Sequence, residues 1–337
     1  MSLKGEIMEE LLNELQNNKE LNIYSAGINR VSDNRYCIIK NDSVWQVFYY
    51  ERGTKRNLKE FTDEKEACNY FKNLVLEQNE RNKDKIKQVI EEYKKQTQKD
   101  CYKINCVDGV VNILDDKIGG YPYLPTGIEY PKDKNGEYMP LLIQINLKNI
   151  DLEGYPKKGI LEIFANKDFD YPTDYVIKYF EEGLDYQTEF PEIDLSNFVL
   201  SESIKIELEK DITYMPLSDY RSKQELHKAV QKVYGGGLVI DCDYYFKNYV
   251  SCYDNWYDEA TNSLNIPTAN IGGYADFTQQ DPRFGEKETR TECLLKIDSY
   301  LDDRIFIGDS GIIFTLISPE DIKNCKFENA TFDWDCY

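Results

Sequence analysis

The sequence predicts an α+β protein: an internally duplicated domain of mostly antiparallel β-sheets with a few helices, preceded by a small N-terminal α/β/β/α module. Three observations predict it. KIGGYPYLP at 117–125 returns in large part as NIGGYADFT at 270–278. Apolar runs follow each copy, LLIQINL (141–147) and GILEIFAN (159–166) after the first, LLKIDSY (294–300) and GIIFTLIS (311–318) after the second. Gly119 and Gly272 lie 153 residues apart, Gln144 and Lys296 152, and Gly159 and Gly311 152. A spacing held to one residue across three segments marks a tandem duplication, with repeats at about 117–166 and 270–318. No regular helical pattern separates the runs, so antiparallel pairing is expected.

The N-terminal module spans 1–98. Ile7, Met8, Leu11, Leu12 and Leu15 have the spacing of an amphipathic helix. RYCIIK (35–40) and VWQVFYYERG (44–53) flank Asn41, Asp42 and Ser43 and read as a hairpin. Asp63 with Glu66 resembles a capping box, and the helix it opens carries Ala67, Tyr70, Phe71, Leu74 and Val75 on one side. The charged run beyond Glu77 is either a continued exposed helix or a linker.

The second domain spans 99–337. YPYLPTGIEYP (121–131) holds three prolines and is an extended loop, whereas LLIQINL and GILEIF are strands. In GILEIF, Ile160, Glu162 and Phe164 take one face and Leu161 and Ile163 the other. The acidic stretch from 168 to 220, with interleaved aromatics, reads as an irregular excursion with one short helix or none. SKQELHKAVQKVY (222–234) is a helix with Leu226, Ala229, Val230 and Val233 on one face, stopped by glycines at 235–237, and LVIDCDYYF (238–246) is a strand.

At 337 residues the chain exceeds the usual limit of a single core, and 41% hydrophobic content excludes disorder as its main theme. Residues 1–98 carry 17 basic and 17 acidic side chains, so the whole net charge of −20 falls on 99–337. That field argues against nucleic acid and anionic membranes as partners and favours a basic protein. Nine cysteines without a C-x-x-C pair, and one histidine, give too few ligands for a standard zinc site. No cofactor is expected. With no apolar leader read in MSLKGEIMEE and no apolar run near the length of a membrane span, a soluble cytoplasmic protein is expected. Oligomeric state is left open.

IGGYPYLP with a following Pro131, then LLIQINL, IGGYADFTQQDPR, LLKIDS, GDSG and a closing FDWDCY resemble the YwqG-like family of bacterial proteins over roughly 100–337. That resemblance implies an internally duplicated α+β fold and no established activity. The run W-x-V-x-Y-x-E-R-G, Trp45 to Gly53, resembles small modules encoded beside bacterial toxins, which implies an immunity or antitoxin-like role.

Candidate chemistry is sparse. GDSG (308–311) has the string of a serine-protease nucleophile, but the sole histidine, His227, sits on an amphipathic helix, so a tight turn is the better reading. GGG at 235–237 precedes a strand, the reverse of a phosphate loop. The recurring pairs Gly119, Gly120 and Gly272, Gly273 are candidates for a ligand cleft between the repeats, with Asp276, Arg283 and Asp309 beside them. Arg283 is also expected to make a structural salt bridge with Asp276 or Asp281. Asp298, Asp302 and Asp303 are weak candidates for a divalent metal, whose hardness suits oxygen ligands. Two functions follow: a non-enzymatic interaction protein with an acidic body, or a small-ligand or divalent-metal-dependent enzyme with its cleft between the repeats.

Overall fold

The computed structural model describes residues 6–17, 26–33, 35–169, 173–200, 202–235, 264–283 and 289–336. The chain divides into two compact units, Met1–Gln96 with Lys223–Ser263 and Thr97–Ser222 with Leu264–Tyr337. The segment following Ser222 thus groups with the N-terminal residues. The strand predicted at 238–246 lies outside the described residues, as do Cys242 and Cys252.

In the first unit, helix α1 (Glu6–Asn17) buries Met8, Leu11 and Leu15, the i, i+3, i+4 spacing that forms one helical face. Strands β1 (Ala26–Ile28), β2 (Arg35–Asn41), β3 (Val44–Glu51) and β4 (Thr54–Phe61) form a sheet in that order, with β1 parallel to β2 and the other pairs antiparallel. The β2–β3 turn places Asp42 at φ +52°, a left-handed conformation its short side chain tolerates. Helix α2 (Glu64–Thr97) starts where Asp63 Oδ1 accepts the Glu66 N–H at 2.8 Å, and Ala67, Phe71 and Val75 pack on Ile38, Trp45 and Val47. The charged run beyond Glu77 is helix. It keeps Ile86, Val89, Ile90 and Tyr93 buried along one side. Helix α3 (Ser222–Tyr234) buries Leu226, Ala229 and Val230, and its Lys232 pairs with Glu92 of α2.

The second unit holds one sheet of ten strands: β5 (Lys99–Val107), β6 (Lys117–Ile118), β7 (Leu141–Asn146), β8 (Ile160–Ala165), β9 (Tyr175–Phe180), β10 (Ile204–Thr213), β11 (Ala269–Gly272), β12 (Glu292–Asp298), β13 (Ile312–Ile317) and β14 (Thr331–Asp335). Their spatial order is β9-β8-β7-β6-β10-β5-β11-β12-β13-β14, antiparallel throughout. The order is symmetric about the central β10·β5 ladder. Each half's leading strand lies against the other half: β10 pairs with β6, and β5 with β11. Strands β9 and β10 occupy the stretch expected to be irregular. In β10 the alternation of Ile204, Ile206 and Leu208 is masked by Glu207, Glu209, Lys210 and Asp211, which signal polarity rather than period.

One face of this sheet carries the main core, including Ile104, Ile145, Leu161, Ile163, Leu295 and Ile313. The opposite face carries two smaller clusters. Leu124, Tyr130, Met139, Leu141 and Phe164 cover the first half; Phe277, Cys293, Ile312, Phe314 and Leu316 cover the second. Strands β7, β8 and β13 are therefore buried on both sides, which is why they read as continuous apolar runs. The cysteines at 37, 68, 101, 106, 293, 325 and 336 are free thiols.

Candidate functional site

The repeated glycines do the same mechanical job twice. Gly119 and Gly120 follow β6 with φ of +72° and +78°, and Gly272 and Gly273 end β11 with +72° and +68°. A Cβ on Gly120 would stand 2.9 Å from Ser203 Cβ, at the start of β10. One on Gly273 would collide with Thr213 Cγ2 and stand 2.9 Å from Cys101 Cβ. Side chains at these turns would hold β10 away from Gly120, and both β10 and β5 away from Gly273, so the close packing of the two leading strands at the sheet's centre depends on their absence.

Each pair lines its own cavity, so the glycines are not gathered into one cleft. Beside Gly119 and Gly120 is a cavity of about 220 Å³ walled by Tyr121, Leu141, Ile193, Leu195, Phe198 and Leu200, with Glu192, Glu202 and Ser203 also lining it. Beside Gly272 and Gly273 is one of about 530 Å³, lined by the charged Lys99, Asp100, Glu153, Glu292 and Lys323 and by Leu152 and Tyr155. Lys99 and Glu292 pair across it at 2.6 Å, and Lys323 comes from the short helix α4 (Pro319–Lys323).

The remaining sequence candidates line neither cavity. Arg283 is buried in an ion-pair network with Asp281 at 2.6 Å and Asp219 at 2.7 Å, while Arg221 shares Asp219 at 2.6 Å. Burial pushes the Asp219 carboxyl up, but hydrogen bonding from Arg221 and the charge of Arg283 outweigh it and hold it below the usual range. The guanidinium of Arg283 also lies over the Tyr220 and Phe277 rings, at 5.1 and 5.4 Å. Asp219 is the partner the sequence reading did not anticipate. Asp276 pairs with Lys296, not Arg283. Asp298 accepts the Tyr300 N–H at 2.8 Å, Asp302 is held by Arg304 at 2.7 Å, and Asp303 and Asp309 are exposed. Arg304 draws the Asp302 carboxyl down to about 2. Among the described residues no three His, Cys, Asp or Glu side chains group to hold a metal ion. Gly308 and Ser310, both at positive φ, shape the GDSG turn, closed by Gly311 N–H donating to Ile307 O at 2.7 Å. His227 on α3 lies 2.7 Å from Gln231 Nε2.

A buried polar row was missed. Lys117, Gln144 and Glu162 are in register across β6, β7 and β8, and all three are buried. Lys117 Nζ donates to the carbonyls of Asn112 and Ile113, at 3.0 and 2.8 Å. Gln144 Oε1 accepts the Tyr123 N–H at 2.7 Å, while neither Glu162 oxygen has a partner among the described residues. Burial lifts the Glu162 carboxyl well above its ordinary range and draws Lys117 down to about 8. The counterpart row is Asn270, Lys296 and Phe314. The available signal was a charged residue inside an apolar run, Glu162 in GILEIF and Lys296 in LLKID.

Around the smaller cavity the surface is acidic and aromatic. Residues 181–203 hold seven carboxylates and no lysine or arginine. The segment is laced to the loop after β6: Leu184 N–H donates to Tyr123 Oη at 3.0 Å, Gln187 N–H to Leu124 O at 2.9 Å, and Tyr121 stacks on Phe190 with centroids 4.9 Å apart. Lys148 holds Glu182, Lys167 holds Asp194, and Arg304 approaches Glu202. Glu181, Asp185, Glu189 and Glu192 are exposed and make no ion pair among the described residues. Tyr121, Leu184, Tyr186 and Leu195 are exposed among them.

This is a domain built on one ten-stranded antiparallel sheet, whose candidate sites are two cavities at the glycine pairs that recur in the sequence. Residues 116–336 match the family described as a domain of unknown function (DUF1963), and the chain belongs to that family. No curated protein matches the chain.

Proposed function

We propose that the protein is a non-enzymatic, cytoplasmic interaction protein of the bacterial YwqG-like kind, which covers a basic partner protein in the manner of an immunity or antitoxin factor. The observation that carries this reading is the run 181–203, with seven carboxylates and no lysine or arginine of its own, four of the seven making no ion pair among the described residues, and with exposed Leu184, Tyr186 and Leu195 in it and Tyr121 beside it. Aromatic anchors within a charged rim are the composition of protein interfaces, and a one-signed field speeds encounter with a partner of the opposite sign. The same field disfavours nucleic acid, and no described helix is long and apolar enough to cross a membrane. Affinity capture with the native chain and with a quadruple variant, Glu181→Gln, Asp185→Asn, Glu189→Gln and Glu192→Gln, tests it. Basic proteins held at low salt by the native chain are expected to be lost from the variant. Equal recovery by both would sink the reading.

A second reading, a small-ligand or divalent-metal-dependent enzyme, is favoured by the 530 Å³ cavity beside Gly272 and Gly273 and its charged lining. Thermal-shift screening against divalent cations and a metabolite panel tests it. Stabilisation by a cation that Glu153→Gln reduces, or by an anionic metabolite that Lys323→Ala reduces, is expected; a flat profile across both panels refutes it.

A further inference from the structure

We propose that the cavity beside Gly119 and Gly120 seats one apolar side chain of the partner, of leucine or phenylalanine size, from a segment with lysine or arginine on both sides of it. The seating presupposes the basic-partner reading above and names what that partner presents. The walls come from three separate stretches: Leu141 from β7, Tyr121 from the loop after β6, and Ile193, Leu195, Phe198 and Leu200 from the acidic run. At about 220 Å³ the space exceeds the roughly 150 Å³ of an apolar cavity that accepts benzene, so a phenyl ring or branched aliphatic chain fits. Tyr121 is 51% exposed and Leu195 39% exposed, so an inserted side chain would remove both from water.

Charge sets the flanks. Glu192 and Glu202 are part of the lining, Glu202 being approached by Arg304 at 3.4 Å, and Glu181, Asp185 and Glu189 precede them in the same exposed acidic run, whose Phe190 stacks on Tyr121. A small cationic molecule would engage only the two lining carboxylates. The spread over residues 181–202 matches a polymer carrying several cations, which is a polypeptide segment. Apolar burial supplies an anchor that salt does not screen, and the carboxylates supply a rim that it does.

Titration calorimetry of the full chain with acetylated, amidated pentapeptides Lys-Arg-Xaa-Arg-Lys, where Xaa is leucine, phenylalanine or glycine, tests the seating at about 50 and 300 mM salt, a range in which surface charge is progressively screened. The leucine and phenylalanine peptides are expected to bind roughly tenfold or more tightly than the glycine peptide, and that ratio is expected to persist at the higher salt. Leu195→Trp, at an exposed wall position, is expected to fill the cavity and abolish the ratio. Leu195→Ser, which opens the wall, is expected to reduce it. Equal binding of the three peptides to the native chain would overturn the anchor and leave the acidic-surface reading standing. Absence of binding by any of them at low salt would overturn both.

Discussion

Glu162 is a carboxyl sealed under a sheet with no hydrogen-bond partner among the described residues. Its folded-state proton affinity lies above the unfolded value, so the folded chain keeps a proton that the unfolded chain releases. Stability contributed by the neutral form is full below the unfolded pKa of about 4.3 and is lost as pH rises toward the folded value. The advantage of Glu162→Gln over the native chain is therefore expected to grow between pH 4.5 and 7.5, by up to about 1.4 kcal/mol per pH unit. Urea midpoints across that window measure it, and a pH-independent difference would refute the buried neutral carboxyl. Lys117, drawn down to about 8, acts above this window. Arg283 has the opposite character, a charge buried with its partners. Arg283→Met leaves Asp281, whose side chain is 5% exposed, without a cation among the described residues and Asp219 with Arg221 alone, and is expected to cost about 3–5 kcal/mol by chemical denaturation. A loss below about 1 kcal/mol would mean that Arg221 alone satisfies Asp219.

Among the elements, the glycine turns set how closely the strands approach. Gly273→Ala faces Thr213 and Cys101 at less than normal contact distance as well as a positive φ, whereas a Cβ on Gly136 meets nothing within 4 Å at a comparable φ of +84°. The first substitution is expected to cost about 2–4 kcal/mol and the second about 1 kcal/mol. Comparable melting temperatures for both variants would mean that φ strain alone matters at Gly273. These turns were legible in the sequence because their motif recurs at a fixed spacing, as were β7, β8, β12 and β13, whose apolar runs need no partner to be recognised. What escaped was the pairing. Nothing local in KDCYKINCV or IKIELEKDIT reveals that each strand crosses to the other half, since ladder partners are distant in sequence. The smaller cavity escaped for the same reason, its walls being drawn from residues 121 to 200 by the fold.

At the scale of the whole molecule, charge is segregated. Residues 1–98 are neutral in sum, and 99–337 carry the full −20. Association with a basic partner is expected to slow by at least tenfold between about 50 and 500 mM salt, while dissociation changes less, because long-range steering is screened before contact energies are. Stopped-flow measurement at several salt concentrations separates the two rates, and a salt-independent association rate would remove the role assigned to the acidic field.

The exchanged strands at the centre of the ten-stranded sheet bear on how the chain tolerates being cut. A break within residues 181–203 separates β5–β9 from β10–β14 covalently, yet β10 still lies between β5 and β6, and β5 between β10 and β11. Two such fragments clasp one another by the same ladders that join the intact chain. Nicked protein should accordingly migrate as one species until denatured, and the separately made pieces should complement each other on mixing.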